Sequence, residues 1–106
     1  MNASPLDEDR LQSASTAEIH RALFEDFVAG HAQMALMLLG QIENPDTGSR
    51  HALDVAAAKR FIDQLEMLEV KTRGNLSGPE THLLRRSLRV TRDALAAVLD
   101  AGRDAG

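Results

Sequence analysis

Apolar residues recur along this chain at helical rather than strand spacing. Ile19, Leu23, Phe27, Met34 and Leu38, flanked by Phe24, Val28, Ala35 and Leu39, form one such series. It begins at Ser15-Thr16-Ala17-Glu18, a capping-box pattern in which a hydroxyl and a carboxylate satisfy free N–H groups of the first turn, and it stops at Gly40. The second series starts behind Asp54, a capping residue. Val55, Ala58, Phe61, Ile62, Leu65 and Leu68 share a stripe, while Lys59, Arg60, Asp63, Gln64, Glu66 and Glu69 lie largely opposite. It is expected to end near Arg73-Gly74-Asn75. The third opens at Ser77-Gly78-Pro79-Glu80 and carries Leu83, Leu84, Leu88, Thr91, Leu95, Val98 and Leu99 toward Gly102.

Between the first two helices, Asn44-Pro45-Asp46-Thr47-Gly48 has turn chemistry throughout: Pro presets φ, Asn and Asp bond back to the backbone, and Gly accepts positive φ. No segment alternates with period two for long enough to suggest a strand. The fold class is therefore all-α, a three-helix chain of antiparallel helical hairpins. Residues 1–15, with Asp7, Glu8 and Asp9 and little apolar content, are expected to be a disordered acidic tail. Residues 16–102 form a single helical domain, and 103–106 a disordered C-terminus.

Helices 2 and 3 are amphipathic, but Met34-Ala35-Leu36-Met37-Leu38-Leu39 is apolar on every face and needs cover on more than one side. Three helices of this size make a thin core. A symmetric homodimer that completes a helical bundle, with Phe27, Met34, Met37 and Leu38 at its centre, answers the need. Helix 1 as the central helix of a compact monomer is the alternative, and docking of an unrelated partner is a third.

Composition narrows the chemistry. The chain of 106 residues has no cysteine, which removes disulfides, thiolate metal sites and thiol nucleophiles. His20, His31, His51 and His82 are scattered without a metal-binding spacing, and neither a phosphate-cradling glycine loop nor a Gly-x-Ser-x-Gly elbow occurs. Neither catalysis, a cofactor nor a metal is expected. The N-terminus lacks the features of a signal peptide and the longest apolar run is too short to span a bilayer, so a cytoplasmic protein with no membrane contact is expected.

Charge placement says more than the total of −4. Residues 1–69 hold 12 acids and 5 bases, whereas residues 70–106 hold 4 acids and 7 bases. Arg85, Arg89 and Arg92 make a stripe on helix 3, with Arg86 alongside and Lys71 and Arg73 just before the turn. One reading is a partner surface for an acidic protein, RNA or DNA. The other is that these arginines pair with Asp63, Glu66 and Glu69 or simply solvate the helix.

Leu39-Gly40, Asn44-Pro45-Asp46-Thr47-Gly48, and Ile62-Asp63-x-Leu65-x-x-Leu68-Glu69-x-Lys71-Thr72-Arg73-Gly74-Asn75-Leu76-Ser77 together resemble a mostly bacterial family known as domain of unknown function 1844. The resemblance covers roughly residues 22–92 and implies a short helical cytoplasmic protein without an assigned activity. This chain departs from the pattern at Gly78, inserted between Ser77 and Pro79, which leaves either Ser77 or Gly78 as the cap. It also lacks an aromatic residue over Val90–Val98. Physically, Gly74 suits a left-handed C′ position and Leu76 can tuck between helices, whereas Lys71, Thr72 and Arg73 exceed what a turn requires.

The expected function is that of a non-enzymatic, homo-oligomeric protein-protein interaction module, with Lys71, Arg73, Arg85, Arg89 and Arg92 as its partner-facing surface. An RNA-, DNA- or ribosome-associated protein using the same stripe is the alternative.

Overall fold

The structure, a computed structural model, describes residues 15–50 and 52–105. The expected acidic tail, save Ser15, lies outside them. The described residues form three helices, α1 (Thr16–Leu38), α2 (Val55–Lys71) and α3 (Gly78–Ala105), each packed against the other two. One pair of bridged extended residues, Glu43 and Arg50, lies in the α1–α2 connection.

The helix ends follow from local chemistry. Ser15 Oγ accepts from the Glu18 N–H and donates to Glu18 Oε1, so the carboxylate holds the hydroxyl rather than a backbone N–H. At the other end of α1, Gly40 takes φ +70°; its N–H donates to Met37 O while the Gln41 N–H donates to Leu36 O. These two bonds form a Schellman motif, which satisfies carbonyls that the helix leaves open. Asp54 caps α2 through the Ala57 N–H. Thr72 closes α2, its hydroxyl donating to Leu68 O at 2.7 Å, and Gly74 follows at φ +86°. Ser77, not Gly78, caps α3: its Oγ accepts from the Glu80 N–H and its own N–H donates to Glu80 Oε1. That reciprocal pair is a complete capping box. Gly102 does not take positive φ, so nothing stops the helix there and α3 continues to Ala105, where a disordered C-terminus was expected.

The core has two adjoining parts. Val28 and Ala35 of α1 meet Ile62 and Leu65 of α2 and Leu84 and Leu88 of α3, all buried, with Leu76 of the α2–α3 turn packed against them. Toward the other end, Leu38 and Leu39 pack with Ala58, Val55 and Val98. Among the described residues Thr91 is the one polar side chain with no exposed surface; its hydroxyl donates to Ser87 O and Leu88 O of its own helix.

The α1–α2 connection is a structured fold-back rather than a simple tether. The Asn44 N–H donates to Ser49 O, the Gly48 N–H to Asn44 O, and the Asp46 N–H to Asn44 Oδ1. Arg50 donates to Gly40 O and the Asp54 N–H to Leu38 O, pinning the loop to the end of α1. Asn44, Pro45 and Asp46 border a small cleft with Gly30, Gln33, Met34 and Met37.

Candidate interaction surfaces

Of the four residues expected at the centre of a dimer, the structure divides two from two. Met37 and Leu38 are each only 7% exposed within a single chain. They therefore cannot serve as an interface, and placing them there is corrected. The error lay in treating the 41–53 connection as a turn that covers nothing, whereas its fold-back brings residues 44–46 beside Met37 while α2 and α3 bury Leu38 and Leu39. Phe27 and Met34 remain open, at 47% and 39% exposed, and Leu23 joins them.

Leu23, Phe27, Gly30 and Met34 stand at successive spacings of four, three and four on α1, the rhythm of a seam against another helix. Gly30 leaves the seam open, since nothing lies within 4 Å of a Cβ placed there. Along one edge, His31 anchors α1 to α2. Its Nδ1–H donates to Phe27 O at 3.1 Å, and its Nε2 lies 3.0 Å from the Gln64 carboxamide. The imidazole stacks on Phe27 at 4.1 Å between ring centroids and meets the edge of Phe61 at 5.4 Å. Met67, half exposed, stands one turn beyond Gln64 and extends this face onto α2.

The basic residues are also divided. Arg92 Nε donates to Glu66 Oε1 at 2.9 Å, so the expectation that an arginine of the stripe pairs with α2 holds at this one position. Lys71, Arg73, Arg85 and Arg89 are exposed and make no ion pair among the described residues. Arg73 and Arg85 do not lie along an open stripe: with Glu69, Thr72, Gly74 and Thr81 they line a cleft of about 340 Å³ above Leu76 and Leu84. The stripe read along α3 thus resolves into an arginine spent on Glu66, an isolated Arg89, and Arg85 turned toward the α2–α3 turn. Thr72, which exceeded what the turn required on sequence grounds, is accounted for by its bond to Leu68 O.

The other exposed ion pair joins Lys59 Nζ to Asp63 Oδ2 at 2.8 Å along α2, and the hydrogen bond and charge of Asp63 push the lysine above its ordinary value. Among the described residues no three His, Asp or Glu side chains gather in a metal-holding group. His51 lies outside the described residues. Among the described residues no helix is long and apolar enough to cross a membrane.

Sequence reasoning missed His31 with Gln64, and Thr81 and Glu69 as cleft residues. Only the helical phase of Gln64, between the core stripe and the solvent side, hinted at the first pair. The model of the domain of unknown function DUF1844 matches residues 21–96. Neither the curated proteins nor the solved structures contain a match.

Proposed function

The chain belongs to the DUF1844 family, and we infer that it acts as a non-enzymatic, cytoplasmic helical module that pairs with a second copy of itself through the outer face of α1. The observation that carries this reading is the seam Leu23–Phe27–Gly30–Met34, apolar and exposed on the same helix that supplies the buried Val28, Ala35 and Leu38.

A second copy fits the face by rhythm and by size. A seam at alternating three- and four-residue spacing is self-complementary, because an antiparallel copy presents the same knobs to the same holes. At 1.5 Å per residue α1 is about 35 Å long and α2 about 25 Å, and strips roughly 10 Å wide along both offer about 600 Å². That approaches the ~800 Å² per partner of an ordinary stable interface. The seam is bordered by the His31–Gln64 contact on one side and, at its Gly30–Met34 end, by the Asn44–Asp46 turn on the other.

The test is solution mass by light scattering over a concentration series, for wild type, Phe27→Glu and Met34→Glu. Wild type is expected to rise from one chain mass to two, and both variants to stay at one with unchanged helicity. A wild-type monomer at every concentration, or variants that dimerise as wild type does, overturns the reading. Met37→Glu is unsuitable as the probe, because its side chain is buried within the monomer and its failure would report folding alone.

A further inference from the structure

We propose that the cleft between the end of α2 and the first turns of α3 is a receptor for a compact anionic group, a carboxylate or a phosphate, gripped between the guanidinium groups of Arg73 and Arg85.

The cleft joins shape with unspent charge. Its volume of about 340 Å³ falls within the size of small-ligand sites, and its floor of Leu76 and Leu84 is part of the packed core, so the concavity does not depend on a mobile element. Leu84 is fully buried. Arg73 is placed by the Thr72 cap and the left-handed Gly74, and Arg85 by the second turn of α3, so the two cations reach the cleft from different elements. Each presents a fork of N–H donors and no acceptor, the pattern that matches carboxylate and phosphate oxygens.

Neither arginine pairs with an acid among the described residues. Arg92, further along the same helix, pairs with Glu66, so carboxylates on α2 are within reach of α3 arginines in this fold. Glu69 lines the cleft itself yet forms no ion pair with Arg73 or Arg85. The Thr81 hydroxyl, also in the wall, makes no hydrogen bond to another described residue and is a further donor for an anion. Two cations and a hydroxyl facing one carboxylate leave a net positive recess in a protein of net charge −4, a location that draws anions against the overall field. This site is separate from the α1 seam and stands or falls independently of dimerisation.

The experiment is an NMR titration of the ¹⁵N-labelled full chain with inorganic phosphate and, separately, succinate, at fixed low ionic strength. The expected result is saturable shifts confined to the amides around residues 72–76 and 81–85, with dissociation constants of about millimolar order for two charge-assisted contacts. Arg73→Gln and Arg85→Gln should each weaken binding roughly tenfold, the loss of one such contact, without altering the melting temperature. Glu69→Gln should tighten it, since it removes the one opposing charge. Tighter phosphate binding assigns a phosphoryl ligand, and tighter succinate binding a carboxylate ligand; both support the receptor. Shifts spread over all the basic side chains without saturation, or indifference to the arginine substitutions, overturn it. So does an RNA oligonucleotide that perturbs these amides when neither small anion does, which would make the surface a polyanion contact instead.

Discussion

Replacing Thr91 with Val isolates the energetics of a fully buried polar side chain. Valine has nearly the same shape, so the change removes a hydroxyl from the three-helix contact and puts a methyl in its place. Uncompensated burial of a hydroxyl costs ~1–3 kcal/mol, and a typical intramolecular hydrogen bond returns about 1 kcal/mol. Here the hydroxyl donates to Ser87 O and Leu88 O, carbonyls of its own helix three and four residues back. Those acceptors lie in the interior of α3, where the helix's own N–H groups also serve them, so losing the hydroxyl strands no partner. Thr91→Val should therefore be neutral or stabilising by up to about 1 kcal/mol, a rise of a few degrees in Tm for a chain of this size. Thr91→Ala, which removes the methyl as well and leaves a void, should cost roughly 1–2.5 kcal/mol. Urea unfolding followed by circular dichroism resolves both. A valine variant destabilised by more than about 1.5 kcal/mol would refute the reasoning, because the hydroxyl would then be fixing the helix rather than occupying it.

Three further outcomes follow from the same structure. Gly74→Ala should cost about 1 kcal/mol in thermal unfolding from its φ of +86° alone, as no atom lies within 4 Å of the added Cβ. Glu66→Gln should change stability by no more than ~0.5 kcal/mol, and the difference should shrink as salt is added, because the pair with Arg92 is 43–48% exposed; a larger effect in denaturant titrations would show that the bridge holds α2 to α3. Lys59, raised above 10.5 by its hydrogen bond to Asp63 and by that carboxylate's charge, should titrate by NMR at higher pH than in Asp63→Asn. Its small contribution to stability is complete below 10.5 and is lost as pH rises through the folded-state value.

The elements were legible in the sequence because their signals are local. Ser15, Asp54 and Ser77 mark helix starts through bonds that reach three residues, and Gly40 and Gly74 mark ends through backbone angles that glycine adopts without strain. What covers Met37 was not legible. That depends on the 44–46 turn folding back onto α1, fixed by Arg50 reaching Gly40 across ten residues and by Asp54 reaching Leu38 across sixteen. The same gap separates a stripe of arginines from the cleft. Spacing along α3 places Arg85, Arg89 and Arg92 on one side, but which cation meets Glu66 and which faces Glu69 depends on the register between α2 and α3. Helical phase alone does not supply that register.

An odd number of helices has a consequence for anything joined to this chain. The start of α1 lies by the α2–α3 turn, where Ala17 and Glu18 share a groove with Asn75 and Ser77, while the far end of α3 lies by Leu39 and Leu53. The first residue of α1 and the last of α3 therefore lie at opposite poles, separated by about the 40 Å that a 28-residue helix spans. Dyes attached at Thr16 and Leu99 would consequently report a long, constant separation. A tether joining Ser15 to Ala105 would have to run the whole length of the bundle.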